Sequence, residues 1–478
     1  MRARLFAEEN RKWWTLAAVA FGLFMIMLDN TVVNVALPAI ERDLHISISQ
    51  LEWIVTAYAL TFAALMITGG KLADLYGRRR IFVVGLLVFT LSSLACGLAP
   101  NAGFLIGARG VQGAGAAMMN PATLSIITAT FPPRQRGQAI GIWAGVSALA
   151  LAIGPLVGGL IVDNINWNWI FFVNVPVGAA GVVASQIFIR ESRDTSHEQR
   201  LDLPGLVTSG GGLLALSYAL IEGNKRGWAS AEILGLFAGA AVLLVAFVVV
   251  EHRQRLPMLD LSLFRIGAFA GANIVAMMVS LAMFGVFFFV SLYVQNILGY
   301  SPTKAGAIFL PMTLLIIVVA PIAGQASDRI GSRWLMGAGM TLLSGSLLLY
   351  QRVGVHSDFW TLLPAMVVGG VGMAATMSPM TSAAMGAVPV DKAGVGSGVL
   401  NSFRQVGGAL GIALIGAILA SYIHHPARSL AGAQDYVDGL HAALAVSAGI
   451  TFAAAIVAVV TVRTRPSVER AHVAEAAA

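Results

Sequence analysis

Fourteen long apolar runs constrain this 478-residue chain more than any other feature of its sequence. They cover about residues 13–37, 51–70, 81–98, 104–128, 137–161, 169–189, 205–222, 231–250, 268–293, 304–326, 334–350, 360–382, 395–420 and 440–463. A helix that crosses a bilayer needs about 20 predominantly apolar residues. With 57% hydrophobic and 11% charged residues, against about 25% charged in soluble domains, the chain cannot clothe itself in polar surface. Lipid is therefore its solvent. Backbone amides in lipid must be paired internally, by helices or closed barrels. Continuous runs, rather than alternations of about ten residues, exclude a barrel. The expected fold class is an all-α membrane protein with 14 transmembrane helices.

The formal net charge of +7 invites a nucleic-acid partner, but its distribution argues against one. With the N-terminus inside, 22 of the 30 Lys and Arg residues fall on the inner side. The six on the outer side are Arg42, Lys225, Arg226, Lys304, Arg352 and Arg428, and the two within runs are Arg109 and Arg404. That positive-inside bias places the chain in the cytoplasmic membrane with both termini cytoplasmic. Cys96 is the only cysteine, so no intrachain disulfide forms. It reads as a small hydrophobe. The first run is longer than a signal-peptide core and lacks a cleavage site, so it reads as a retained span. Scattered histidines point to no metal. No Gly-rich loop ends in Lys-Ser or Lys-Thr, which excludes ATP as the power source. No nucleophile–base pair marks an enzyme. The partners expected are lipid, protons and a small-molecule substrate, with a monomer as the unit and no cofactor beyond a proton gradient.

The chain repeats itself. Gly70, Asp74, Gly77 and Arg79 recur as Gly324, Asp328, Gly331 and Arg333, 254 residues on. Met119-Asn120-Pro121 recurs as Met377-Ser378-Pro379, 258 residues on, and the order is the same. A first half beginning near 13 should have its twin begin near 267, where the apolar run resumes. Two six-helix bundles are therefore expected at 1–190 and 267–465. Residues 191–266 form an inserted two-helix hairpin and 466–478 a cytoplasmic tail. A parallel repeat with a site near midplane between its halves describes a rocking secondary transporter.

Two residues inside the runs carry the candidate chemistry. A carboxylate at the depth of Asp29 costs roughly 2.5–3.5 kcal/mol on insertion scales, and such residues serve protons, ions or charged substrates. The bland alternative ends the helix at Asp29-Asn30-Thr31. Arg109 begins about five residues, or roughly 8 Å, into its run, and Asp29 lies about 12 Å deep in its own. At similar depth in one half, the two should pair or share a wet cavity. Arg109 has no charged counterpart near Val367; snorkelling to the interface is its alternative reading. Asp29 can exchange a proton or hold a cationic substrate. Glu222, near a span end, is a second coupling candidate. In the loop, Gly70 and Gly77 permit tight turns. Asp74 with Arg78 or Arg79, and Asp328 with Arg333, are candidate latches between the halves. Asn34, Gln112, Asn120 and Asn273, with Phe284 and Tyr293, are candidate substrate contacts. Gly154, Pro155, Gly158 and Gly159 read equally as close helix packing, with Gly407, Gly408 and Gly411 as the corresponding packing face of the second half.

The sequence Leu28 to Pro38, the loop Gly70 to Arg80, Arg109 to Gly115, Gly154 to Gly159 and Trp169 to Gly178 together resemble motifs of the major facilitator superfamily. Within it they resemble the fourteen-span drug:proton antiporters. The resemblance covers nearly the whole chain, with Asn168 standing where an arginine is common. It implies proton-driven export of hydrophobic, often cationic compounds by alternating access. It also implies an antiport role for the Gly154–Gly159 segment. A proton-coupled importer and a lipid flippase of the same fold are the rival readings.

Overall fold

The computed structural model describes residues 8–193, 202–254, 257, 259–388, 393–425 and 429–462. The expected tail 466–478 lies outside the described residues, as does the side chain of Asp328. Among the described residues all regular structure is helical. The first seven helices are α1 (Glu8–Leu44), α2 (Ile48–Tyr76), α3 (Arg78–Gly97), α4 (Ala102–Thr130), α5 (Pro133–Asn164), α6 (Trp169–Phe172) and α7 (Asn174–Phe188). Two more follow, α8 (Leu203–Arg226) and α9 (Ala231–Arg253). The rest are α10 (Gly267–Leu292), α11 (Pro302–Ile308), α12 (Leu310–Ile330), α13 (Ser332–Leu349), α14 (Phe359–Gly386), α15 (Ala393–Ala420) and α16 (Leu430–Thr461). Twelve spans among the described residues have the length and apolarity to cross a membrane. α4 and α13 are less apolar, α4 because its inward face carries Arg109, Gln112 and Asn120, all buried.

α1 runs unbroken through Asp29 and Pro38, which removes the reading that it stops at Asp29-Asn30-Thr31. The Asn30 and Asn34 amides donate to carbonyls one turn back, at 3.0 and 3.1 Å, so they do not compete with the helix. α16 starts ten residues before the apolar run 440–463, in the stretch that separates it from the run 395–420. The Ser429 hydroxyl accepts from Gly432 N at 2.9 Å and caps that end. Tyr436, already inside the helix, donates to Phe289 O at 2.9 Å.

The chain divides into two compact units. One runs to Leu214 and includes Gly239–Leu259; the other takes Ala215–Ala238 and continues from Asp260. The division thus passes through α8 and α9.

Within each unit the same contacts recur. In the first, α3 and α4 cross where a β-carbon on Gly115 would meet Phe89 N at 2.6 Å and Gly85 O at 2.9 Å. In the second, one on Gly372 would meet Leu343 N at 2.7 Å and Gly339 O at 2.8 Å. A β-carbon on Gly113 would strike the Tyr58 carbonyl, and one on Gly370 the Met312 carbonyl. Lipid tails are as apolar as Leu, so helices in a membrane gain from close backbone approach rather than from leaving water. Glycine is the residue that permits it. The turns match too. Gly77 joins α2 to α3 at φ +109°, and Gly331 joins α12 to α13 at φ +84°, conformations that favour glycine.

Candidate functional site

Asp29 and Arg109 meet inside the first unit, each side chain only 1% exposed. Arg109 Nη1 donates to Asp29 Oδ2 at 2.5 Å and lies 2.7 Å from Gln112 Oε1. Gln112 Nε2 closes the ring on Asp29 Oδ1 at 3.0 Å. Arg109 Nε donates to the Ile54 carbonyl of α2 at 3.2 Å. The guanidinium lies 4.3 Å from the centre of the Tyr58 ring and 5.8 Å from that of Phe171, a geometry that favours a cation. Cys96 Sγ is 3.7 Å from Gln112 Oε1. Arg109 therefore turns inward, and the snorkelling reading fails.

Backbone packing holds this ring in place. Arg109 and Gln112 lie one turn apart on α4 and so share a face. Gly113 lets α4 approach the α2 turn that carries Tyr58. From the other side, α5 seats on α1 beside Asp29. A β-carbon on Gly154 would collide with Thr31, and one on Gly158 would meet Val32 O at 2.9 Å. Pro155 and Gly159 are buried alongside. The second unit has the matching seat: β-carbons on Gly407 and Gly411 would strike the Met277 and Leu281 carbonyls of α10. Gly408 lies against the Phe284 ring, 3.0 Å from such an atom. The Gly154–Gly158 segment is thus a packing face, and that face borders the turn bearing the buried acid.

The remaining candidates are dispersed. Asn120 is buried on α4 two turns beyond Gln112. Asn34 is buried one turn past Asn30. Glu222 belongs to the second unit, where it pairs with Arg226 at 3.8 Å. Asn273 in α10 donates to Phe269 O at 2.8 Å, while its Oδ1 is buried and takes no hydrogen bond. Tyr293 begins a π-turn at the end of α10 and donates to Gly354 O at 2.6 Å, which commits its hydroxyl to the fold.

The loop between α2 and α3 is built within the first unit. Asp74 of α2 pairs with Arg78 of α3 at 3.1 Å across the Gly77 turn, and Arg78 Nη1 reaches Ser125 O at 3.5 Å. Arg79 turns instead to the Ile189 carbonyl at 3.4 Å. Glu191, which the sequence did not single out, caps α3. Its carboxylate accepts from Arg79 N at 3.1 Å and Arg80 N at 3.2 Å, placing negative charge on a helix N-terminus. In the twin loop Arg333 stacks 4.9 Å from the Trp334 ring centre.

Sequence reasoning also passed over Tyr58, the Ile54 carbonyl and three buried acids, Glu52, Asp202 and Glu251. A carbonyl leaves no trace in a sequence, and an acid one turn from a span end reads as interfacial. Asn168, the departure from the resembled motif, donates to Gly97 O at 2.8 Å.

A repeated helical membrane fold with a charged pair buried inside its first unit defines a secondary-transporter class of protein. The chain belongs to the major facilitator superfamily: the family's sequence profile matches residues 19–411, and again residues 272–477. It is 38% identical over 410 residues to the multidrug resistance protein Stp of Mycobacterium tuberculosis, covering 86% of this chain and 76% of that one. It is 36% identical over 415 residues to the tetracenomycin C resistance and export protein of Streptomyces glaucescens, covering 87% and 77%. A crystal structure of a bacterial homologue of the human lysosomal transporter Spinster shares the fold. Its TM-score is 0.68 at 18% identity, over 95% of this chain and 97% of that one.

Proposed function

We propose that this chain is a proton-driven antiporter that exports hydrophobic, often cationic small molecules, such as drugs and dyes, across the cytoplasmic membrane. The names of its relatives support drug resistance and the outward direction. One observation carries the coupling: the buried ring of Asp29, Arg109 and Gln112. While both charges stand, the pair is neutral. A proton on Asp29 leaves Arg109 buried without its counter-charge, and losing one partner of a buried pair costs about 3–5 kcal/mol. Opening the site to water, or bringing up another charge, lowers that cost. Proton occupancy and conformation are thereby tied. A cationic substrate competes for the same carboxylate. Glu222 is the secondary coupling candidate.

The chain is proposed to span the bilayer fourteen times, with α4 and α13 added to the twelve apolar spans. Their 29 and 18 residues correspond to about 43 and 27 Å of helix. α8 and α9 then form a hairpin inserted between two six-span sets, with bounds at 190, 266 and 465. The positive-inside tally supports both termini being cytoplasmic. Asp74 with Arg78, and Asp328 with Arg333, are proposed as latches of one transport state, with Gly70, Gly77 and Arg79 shaping the first. Substrate contacts are proposed at Asn34, Gln112, Asn120, Asn273, Phe284 and Tyr293.

Expression in an efflux-deficient host, with a drug panel repeated under an uncoupler, tests the function. Reduced susceptibility that the uncoupler abolishes is expected. Unaltered susceptibility to every compound would remove drug export, and resistance that survives the uncoupler would remove the proton drive.

A further inference from the structure

A second set of buried acids lies in the first unit, toward the end that carries the Gly77 turn. Asp202 precedes α8 and is 7% exposed; Glu251 lies in the last turn of α9 and is 3% exposed. Asp202 Oδ1 accepts from Gly205 N at 2.8 Å and from Gln254 Nε2 at 2.7 Å. Glu251 Oε2 accepts from Leu259 N at 2.8 Å. The two other oxygens, Asp202 Oδ2 and Glu251 Oε1, converge on one point: a β-carbon on Gly205 would run into both. Glu251 Oε1 is buried and receives no hydrogen bond. Lys71 of α2 faces the group. Its ammonium donates to Pro257 O at 3.0 Å, and its charge acts on both acids. His252 and Arg253, next on α9, are exposed; Arg200 and Arg255 lie outside the described residues.

Two carboxylates that share a buried place resist double ionisation. A buried oxygen without a donor is a further cost. One proton between the facing oxygens removes both: it bonds covalently to one acid and hydrogen-bonds to the other. Gly205 suits this arrangement, because any side chain there would part the two acids. We propose that Asp202 and Glu251 form a second proton-binding site, distinct from Asp29, in which one proton from the adjacent aqueous phase is shared between the two carboxyl groups beside Lys71. The pair titrates as a unit. It lies at the feet of α8 and α9, and Lys71 beside it belongs to α2, the helix that carries Asp74.

Infrared pH titration of the full-length protein in lipid tests this through the stretch of protonated carboxyl groups. Glu251→Gln still offers an oxygen to Leu259 N and gives Asp202 a permanent donor; Asp202→Asn does the same for Glu251. Subtracting either variant from the parent at neutral pH should reveal one lost protonated-carboxyl band, and the band should vanish from the parent at alkaline pH. Should Glu251→Gln fail to fold, as judged by thermal unfolding, Asp202→Asn alone must show the loss. Difference spectra without that band in every folded variant would overturn the proposal.

Discussion

The two units pack alike and are charged differently. Gly113 on Tyr58 in the first is Gly370 on Met312 in the second, and the Gly85–Gly115 crossing is the Gly339–Gly372 crossing. These contacts fix which residues correspond. They put Met366, not Val367, opposite Arg109 in the repeat: Met366 is 0% exposed and Val367 is 37% exposed. Tyr58 then corresponds to Met312 and Gln112 to Gly369. α10, the counterpart of α1, has no acid at all. Helix packing is therefore met twice by corresponding glycines, while the Asp29–Arg109 pair of the first unit has no charged counterpart at the matching positions of the second. The duplicated glycines serve the scaffold; the single pair is the one proposed to carry the proton. Methionine stands opposite Tyr58 and Arg109, as Met312 and Met366, a soft side chain that repacks easily.

Several variants sharpen or break this contrast. Arg109→Ala should do the most harm, because it strands Asp29 in a dry site. A loss of about 3–5 kcal/mol should appear in thermal unfolding of purified protein, with transport abolished; a small shift would mean that water reaches the pair. Met366→Leu, at the matching position, should cost less than about 1.5 kcal/mol and leave efflux intact. Gly113→Ala and Gly370→Ala should destabilise similarly, by about 1–3 kcal/mol each through overpacking. Stabilities that differ widely would deny the structural equivalence of the two sites. Asp74→Ala removes a partly buried pair across the Gly77 turn, worth about 0.2–1 kcal/mol. Stability should barely move while turnover slows, as read by accessibility labelling of the two transport states. An unchanged ratio of states would reduce that pair to local structure.

The apolar runs and the repeated Gly–Asp–Gly spacing made the helical architecture legible, because lipid demands long uninterrupted spans and glycine alone meets the tight turns at Gly77 and Gly331. Depth along each run brought Asp29 and Arg109 together before any coordinates. Gln112 was visible as a polar residue within the Arg109–Gly115 motif, and its place between the two charges depends on the side chains one turn apart on α4. Glu191 was hidden because a cap supplied from 111 or 112 residues away in sequence obeys no local pattern. The early start of α16 was missed because its first ten residues are polar on average, although Ser429 carries a recognisable capping signal. Glu251 and Asp202 looked interfacial; only the fold buries them.

The central claim is that Asp29 takes up and releases the transported proton. Adding a cationic drug to weakly buffered purified protein and recording pH tests it directly. The parent protein should release protons as the drug binds, and Asp29→Asn, folded and expressed normally, should release none. Equal release from both proteins would contradict the account.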